Sequence, residues 1–169
     1  MKKLSCVMTA FIVFILQSAI IPFIFNGVSQ PNLIFVFVAL MALHHGQRIG
    51  ITTALLGGFC QDVIIGNFFG LHLLPYLLVA IICGYIGRDI DKEQWVLTLL
   101  IVLVATEVDL IFTCGFLWLS GQYINIAAYL LQYSIAMLVY HGILALPVDH
   151  VVWHLRRDDA FYGFPGYRW

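Results

Sequence analysis

Residues 95–119 read WVLTLLIVLVATEVDLIFTCGFLWL, a run with no Lys or Arg and with Glu107 and Asp109 as its two formal charges. A helix needs roughly 20 predominantly apolar residues to cross a hydrocarbon core of about 30 Å, and this run has that length. Its flanks are polar. Before it stands Gly87-Arg88-Asp89-Ile90-Asp91-Lys92-Glu93-Gln94, the only dense charge cluster between apolar segments and therefore a solvated loop; after it comes the uncharged turn Ser120-Gly121-Gln122-Tyr123-Ile124-Asn125. The run is predicted to be a transmembrane helix.

The rest of the chain repeats the pattern. Long apolar stretches separate Lys3 from Arg48, Arg48 from Arg88, and Lys92 from Arg156. With 62% hydrophobic residues, 10% charged residues and a mean hydropathy of +0.97, a water-soluble domain would lack the polar surface to cover its core. The predicted fold is a single all-α transmembrane domain over residues 1–157 with about six spans, near 4–25, 32–43, 49–65, 71–86, 95–119 and 126–154, followed by a short polar and aromatic tail, 158–169. Met1-Lys2-Lys3 and the apolar run after it look like a signal peptide, but the run continues past Ser18-Ala19 to Phe25, so it is read as an uncleaved first helix. Pro31 is expected to open the second span and Pro147 to kink the sixth near its end. No internal repeat or low-complexity segment is visible, so nothing supports an inverted-repeat transporter.

Six spans put all eight basic residues on one side, which the positive-inside rule assigns to the cytoplasm together with both termini. Trp95, Trp118 and Trp153 then fall near span ends, where an amphipathic ring sits at headgroup level. The net charge of -1 conceals this asymmetry, and no nucleic-acid partner is expected. Cys6, Cys60, Cys83 and Cys114 have neither disulfide nor zinc spacing and read as small hydrophobes.

Asp62, Glu107 and Asp109 are acids that no loop assignment places in water. A charge at mid-bilayer costs roughly 2.5–3.5 kcal/mol even on insertion scales, so each must face protein or a wet cavity. Asp62 falls in the outer part of the third span, close to the turn Gly66-Asn67-Phe68-Phe69-Gly70, whose N–H groups could hold its carboxylate together with the start of the next helix and His72. Glu107 and Asp109 are about 200° apart around a helix, which excludes a carboxylate dyad and implies two separate contacts, one of them a candidate partner for His141 at similar depth. Two readings stand beside each other: a proton or ion path or an intersubunit contact, and hydrogen bonding within the bundle. The second is favoured for Asp109, and the two are about level for Asp62 and Glu107.

His150 and His154 lie one turn apart, and His44-His45 sits at the same face. That spacing alone does not make a zinc site, which needs further ligands and a preorganised shell; interfacial histidines are the plainer reading, and no metal or cofactor is expected. No Ser-His-Asp order, Gly-x-Ser-x-Gly, His-Glu-x-x-His or phosphate-cradling Gly loop occurs, so enzymatic activity has no positive support. Gly57 and Gly58, and Gly84 and Gly87, read either as points of close helix approach or as turns and flexible helix ends.

Pro31-Asn32-Leu33, then Ala42-Leu43-His44-His45-Gly46 with Arg48, Gly50, Gly57-Gly58-Phe59-Cys60-Gln61-Asp62, Gly66 and Gly70-Leu71-His72, taken in this order and spacing, resemble the MreD family of rod shape-determining membrane proteins. The resemblance runs from Leu4 to Arg157, with its specific part between Pro31 and about Tyr85; the tail is not part of the pattern. It implies a non-enzymatic inner-membrane component of the cell-elongation machinery. It further implies MreC as principal partner, with MreB filaments, RodA and a class B penicillin-binding protein in the same complex and a homodimer as an option. It also implies a fold similar to the substrate-binding subunits of energy-coupling-factor vitamin transporters, an analogy that says nothing of a solute. Such a transporter subunit is the competing function, and an intramembrane enzyme the third.

Overall fold

The computed structural model describes residues 2–25, 30–65, 69–87, 94–121 and 125–159. The expectations for Gly66, the charged loop 88–93 and nearly all of the tail lie outside these residues, as do Asn67 and Gln122 of the expected turns. The regular elements of the described residues are all helical: α1 (Lys2–Ile15), a π-helical segment (Leu16–Ile20), α2 (Ile21–Ile24), α3 (Leu33–His45), α4 (Gln47–Ile65), α5 (Leu73–Ile86), α6 (Trp95–Leu119) and α7 (Ile126–Asp159).

Among the described residues, three stretches are long and apolar enough to cross a membrane: Ser5–Ile24, Trp95–Leu119 and Ile126–Leu155. The expected six spans thus divide into two classes, because α3 and α5 are apolar but only 13 and 14 residues long, about 20 Å at 1.5 Å per residue. α4 is longer but carries Gln47, Arg48, two threonines, Gln61 and Asp62.

α3 occupies the centre. Its sequence LIFVFVALMALHH has no polar side, and every residue from Leu33 to His44 is buried, as expected of a helix apolar all round. It packs on α4, α5 and α7 and touches α1 and α6, while α6 and α7 pack on each other. The outer surface is correspondingly apolar, with Phe11, Leu56, Leu131, Ile135 and Ile143 exposed.

Small residues set the closeness of the α3–α5 unit. A Cβ at Gly58 would stand 2.6 Å from Leu73 Cα, and one at Gly87 would stand 1.9 Å from the Leu43 carbonyl oxygen. α4 therefore meets the start of α5, and the end of α5 meets the end of α3, backbone to backbone. These glycines are contact points, and of the two readings left open for them the first applies.

One proline expectation changes. Asn32, with its Oδ1 accepting the Phe35 N–H at 3.1 Å, is the N-cap of α3, so Pro31 lies before the helix and does not open it. Pro147 sits inside α7, which continues to Asp159. Near the N-terminus the π-helical segment runs directly into Pro22, which has no N–H to return to Ser18.

Candidate functional site

A helix that starts inside a protein leaves its first N–H groups without intrahelical partners. At the head of α3 these groups are satisfied from three directions. The Leu33 N–H donates to Gln17 Oε1 at 2.7 Å, and Gln17 Nε2 donates to the Pro31 carbonyl at 3.3 Å. Gln17 is buried in the π-helical segment. The Phe35 N–H goes to the Asn32 side chain, and the Asn32 N–H donates to His141 Nε2 on α7 at 3.1 Å.

The His141 ring is thereby defined. A backbone N–H can only donate, so Nε2 carries a lone pair. Nδ1, 2.9 Å from Thr106 Oγ1, carries the proton, because the Thr106 hydroxyl already donates to the Val102 carbonyl at 2.8 Å. This is a neutral imidazole with both nitrogens used. It stacks on Phe35, centroids 5.2 Å apart and planes 25° apart. Asn32 Nδ2 donates to the Tyr76 hydroxyl of α5, so the head of α3 is joined to the π-helical segment, to α5 and α7, and through His141 to α6.

Asp62 forms a second centre at the end of α4. Its Oδ2 accepts the Gly70 N–H at 2.7 Å and the Leu73 N–H at 3.3 Å; its Oδ1 accepts the His72 N–H at 2.8 Å and lies 3.0 Å from His72 Nδ1. A carboxylate offers about four acceptor directions, and all are filled. The Gly70 backbone has φ +101°, a conformation that L side chains rarely adopt, and it turns its N–H onto the acid. The His72 ring meets Tyr76 edge-on at 6.0 Å, which brings the two centres into contact.

The acids of α6 part company. Glu107 Oε1 accepts from the Ser134 hydroxyl of α7, whereas Asp109 Oδ1 is buried without a hydrogen-bond partner among the described residues. Neither bonds His141, whose ring is taken by Thr106 and Asn32. At the opposite end of α3, His44 Nε2 lies 2.6 Å from Asp149 Oδ1, while His150 and His154 are exposed. The described residues contain no cluster of three or more His, Cys, Asp or Glu side chains able to hold a metal.

Gln17, Asn32, His141, Asp62 and His72 in the two centres each bind a helix to a helix or to a turn, an arrangement that locks a bundle. Comparison of the chain with known families gives a match to the sequence model of MreD, rod shape-determining protein MreD, over residues 1–154. The chain belongs to the MreD family. No curated protein and no solved structure matches it.

For this MreD-family chain the sequence pointed to Asp62, His72 and Gly70, which the fold brings together, and to His141, which it places elsewhere. It did not point to Gln17, Tyr76, Thr106 or Asp149 as site residues. A signal existed for two of them. Gln17 is the one amide in the first apolar run, and Asp149 is a fourth acid within the last, close after Pro147. Tyr76 and Thr106 carry no such mark, since their side chains are common in apolar helices.

Proposed function

We propose that this MreD-family chain is a multi-pass, non-enzymatic component of the bacterial inner membrane that binds MreC and helps couple cytoplasmic MreB filaments to RodA and a class B penicillin-binding protein. The observation that carries the reading is the family match over nearly the whole chain, which establishes a role in rod shape determination.

The fold is consistent with six passages and cytoplasmic termini. α3 is short, but non-helical backbone at membrane depth is tolerated where protein surrounds it, and α3 is wrapped on all sides. Binding is favoured over turnover because the polar groups of the two centres are consumed in holding helices. MreC would use lipid-facing surface, such as the apolar groove among α1, α3 and α4 lined by Phe11, Ile34, Leu56, Gly57 and Cys60. Lipid already satisfies apolar surface, so association rests on close packing plus contacts typically worth about 1 kcal/mol each.

Photocrosslinking amino acids at Phe11, Leu56, Leu100 and Ile135 in cells test the partnership. Capture of MreC at one or more of these positions is expected, with clustering on a single face. Failure at every position in cells with normal expression overturns it, and adducts of the chain with itself alone would assign the surface to a homodimer.

A further inference from the structure

Where α3 and α7 end and α6 begins, His44, Trp95, Thr98, Asp149, His150 and Trp153 line a cavity of about 230 Å³, far more than the roughly 10–15 Å³ that holds one water. Neither the head of α3 nor the Asp62 turn uses it. Its one carboxylate, Asp149, spends Oδ1 on His44. His44 is buried, and its Nδ1 has no hydrogen-bond partner among the described residues. Two indoles flank the Asp149 carboxylate: Trp95, the first residue of α6 and 59% exposed, and Trp153, in edge contact with the His44 ring at 5.1 Å and 85°.

We propose that this cavity is a binding site for the primary ammonium headgroup of a phospholipid of the phosphatidylethanolamine class. An anionic carboxylate with indole rings selects a cation, and a carboxylate oxygen that accepts N–H donors selects an ammonium bearing hydrogens over a fully methylated one. The source is lipid because the pocket lies at helix ends marked by tryptophan, as at a membrane–water boundary. From it, an exposed apolar track runs along one side of α7 through Leu146, Ile143 and Val139, at the three- and four-residue spacing that keeps side chains on one face. That track suits an acyl chain. The site requires only that the chain be embedded in a membrane and stands independently of MreC binding.

Native mass spectrometry of the full chain in detergent, with phosphatidylethanolamine, phosphatidylcholine and phosphatidylglycerol of equal chain length in competition, tests the site. Retention of the ethanolamine lipid over the choline lipid by about tenfold is expected, the ratio that one charge-assisted hydrogen bond supports. Asp149→Asn should bring the two near parity, and Trp95→Ala should lower the ratio severalfold. Equal retention of the two zwitterionic lipids, stronger retention of phosphatidylglycerol, or a preference that survives Asp149→Asn overturns the proposal. If Asp149→Asn does not fold, Trp95→Ala, at an exposed ring, decides by itself, and an unchanged preference there is fatal to the idea.

Discussion

The Asn32 N–H and His141 Nε2 are 3.1 Å apart across 109 positions of sequence. The bond closes the bundle: it fastens the last helix to the first turn of the central one and leaves His141 no nitrogen for other chemistry. Truncating His141 would strand a buried backbone donor and remove the ring stacked on Phe35.

His141→Ala is expected to lower stability in detergent by about 1–3 kcal/mol for the unsatisfied donor, with a further loss from the vacated ring volume. His141→Phe separates the two, since it keeps the stack and removes the acceptor. Thermal unfolding should rank wild type above His141→Phe and His141→Phe above His141→Ala. A His141→Phe protein as stable as wild type would mean that the hydrogen bond contributes nothing.

Asp62→Ala removes four acceptor contacts from the turn at Gly70, His72 and Leu73. Rod shape should be lost while the protein still accumulates near its normal level, because the change unfastens one turn and leaves the α3 core intact. Asp62→Asn retains one oxygen and should be intermediate. Complementation scored by cell shape, with immunoblotting, checks this, and normal rods from Asp62→Ala at wild-type levels would contradict it.

Gly87→Ala should be among the most damaging methyl additions in the chain, since its Cβ would meet backbone at 1.9 Å, whereas a Cβ at Gly115 meets nothing within 4 Å. Fluorescence-detected size-exclusion chromatography should show a sharp fall in monodisperse protein for Gly87→Ala and none for Gly115→Ala. Equal profiles would mean that α3 and α5 are not held as closely as described.

The proposed topology is open to single-cysteine labelling in a background lacking Cys6, Cys60, Cys83 and Cys114. Cysteine at Ser120 should react with an impermeant reagent from outside, and cysteine at Gln94 should react only after permeabilisation. Both positions are exposed. Outside labelling at position 94 would reverse the assignment that the basic residues suggest.

How much of this was legible depends on which interaction fixed it. The limits of α6 are those of its apolar run, because the flanking residues are polar and burial pattern alone draws the boundary. The setting of Asp62 was legible as well: a turn eight to eleven residues ahead is local, and a carboxylate there has few other donors. The His141 contact was not. Similar depth suggested an acid of α6, but a neutral ring with a backbone N–H on one side and a threonine on the other is decided by helix rotation and register, which hydropathy does not encode. The enclosure of α3 escaped for a related reason, since six apolar runs look alike until one of them proves to be wholly enclosed.

The enclosure of α3 also imposes an order on synthesis. Ribosomes deliver the chain from its N-terminus, so α3 emerges long before α7 supplies His141 and before α5 supplies the Tyr76 hydroxyl for Asn32. Until then the head of α3 has Gln17 and its own cap, and its 13 residues are too few to cross a bilayer unaided. Insertion of this helix must therefore be completed late, by helices that come after it. A nascent chain stopped before Ile126 would hold a central segment with no settled place in the membrane, and that segment is where quality-control proteases should find it.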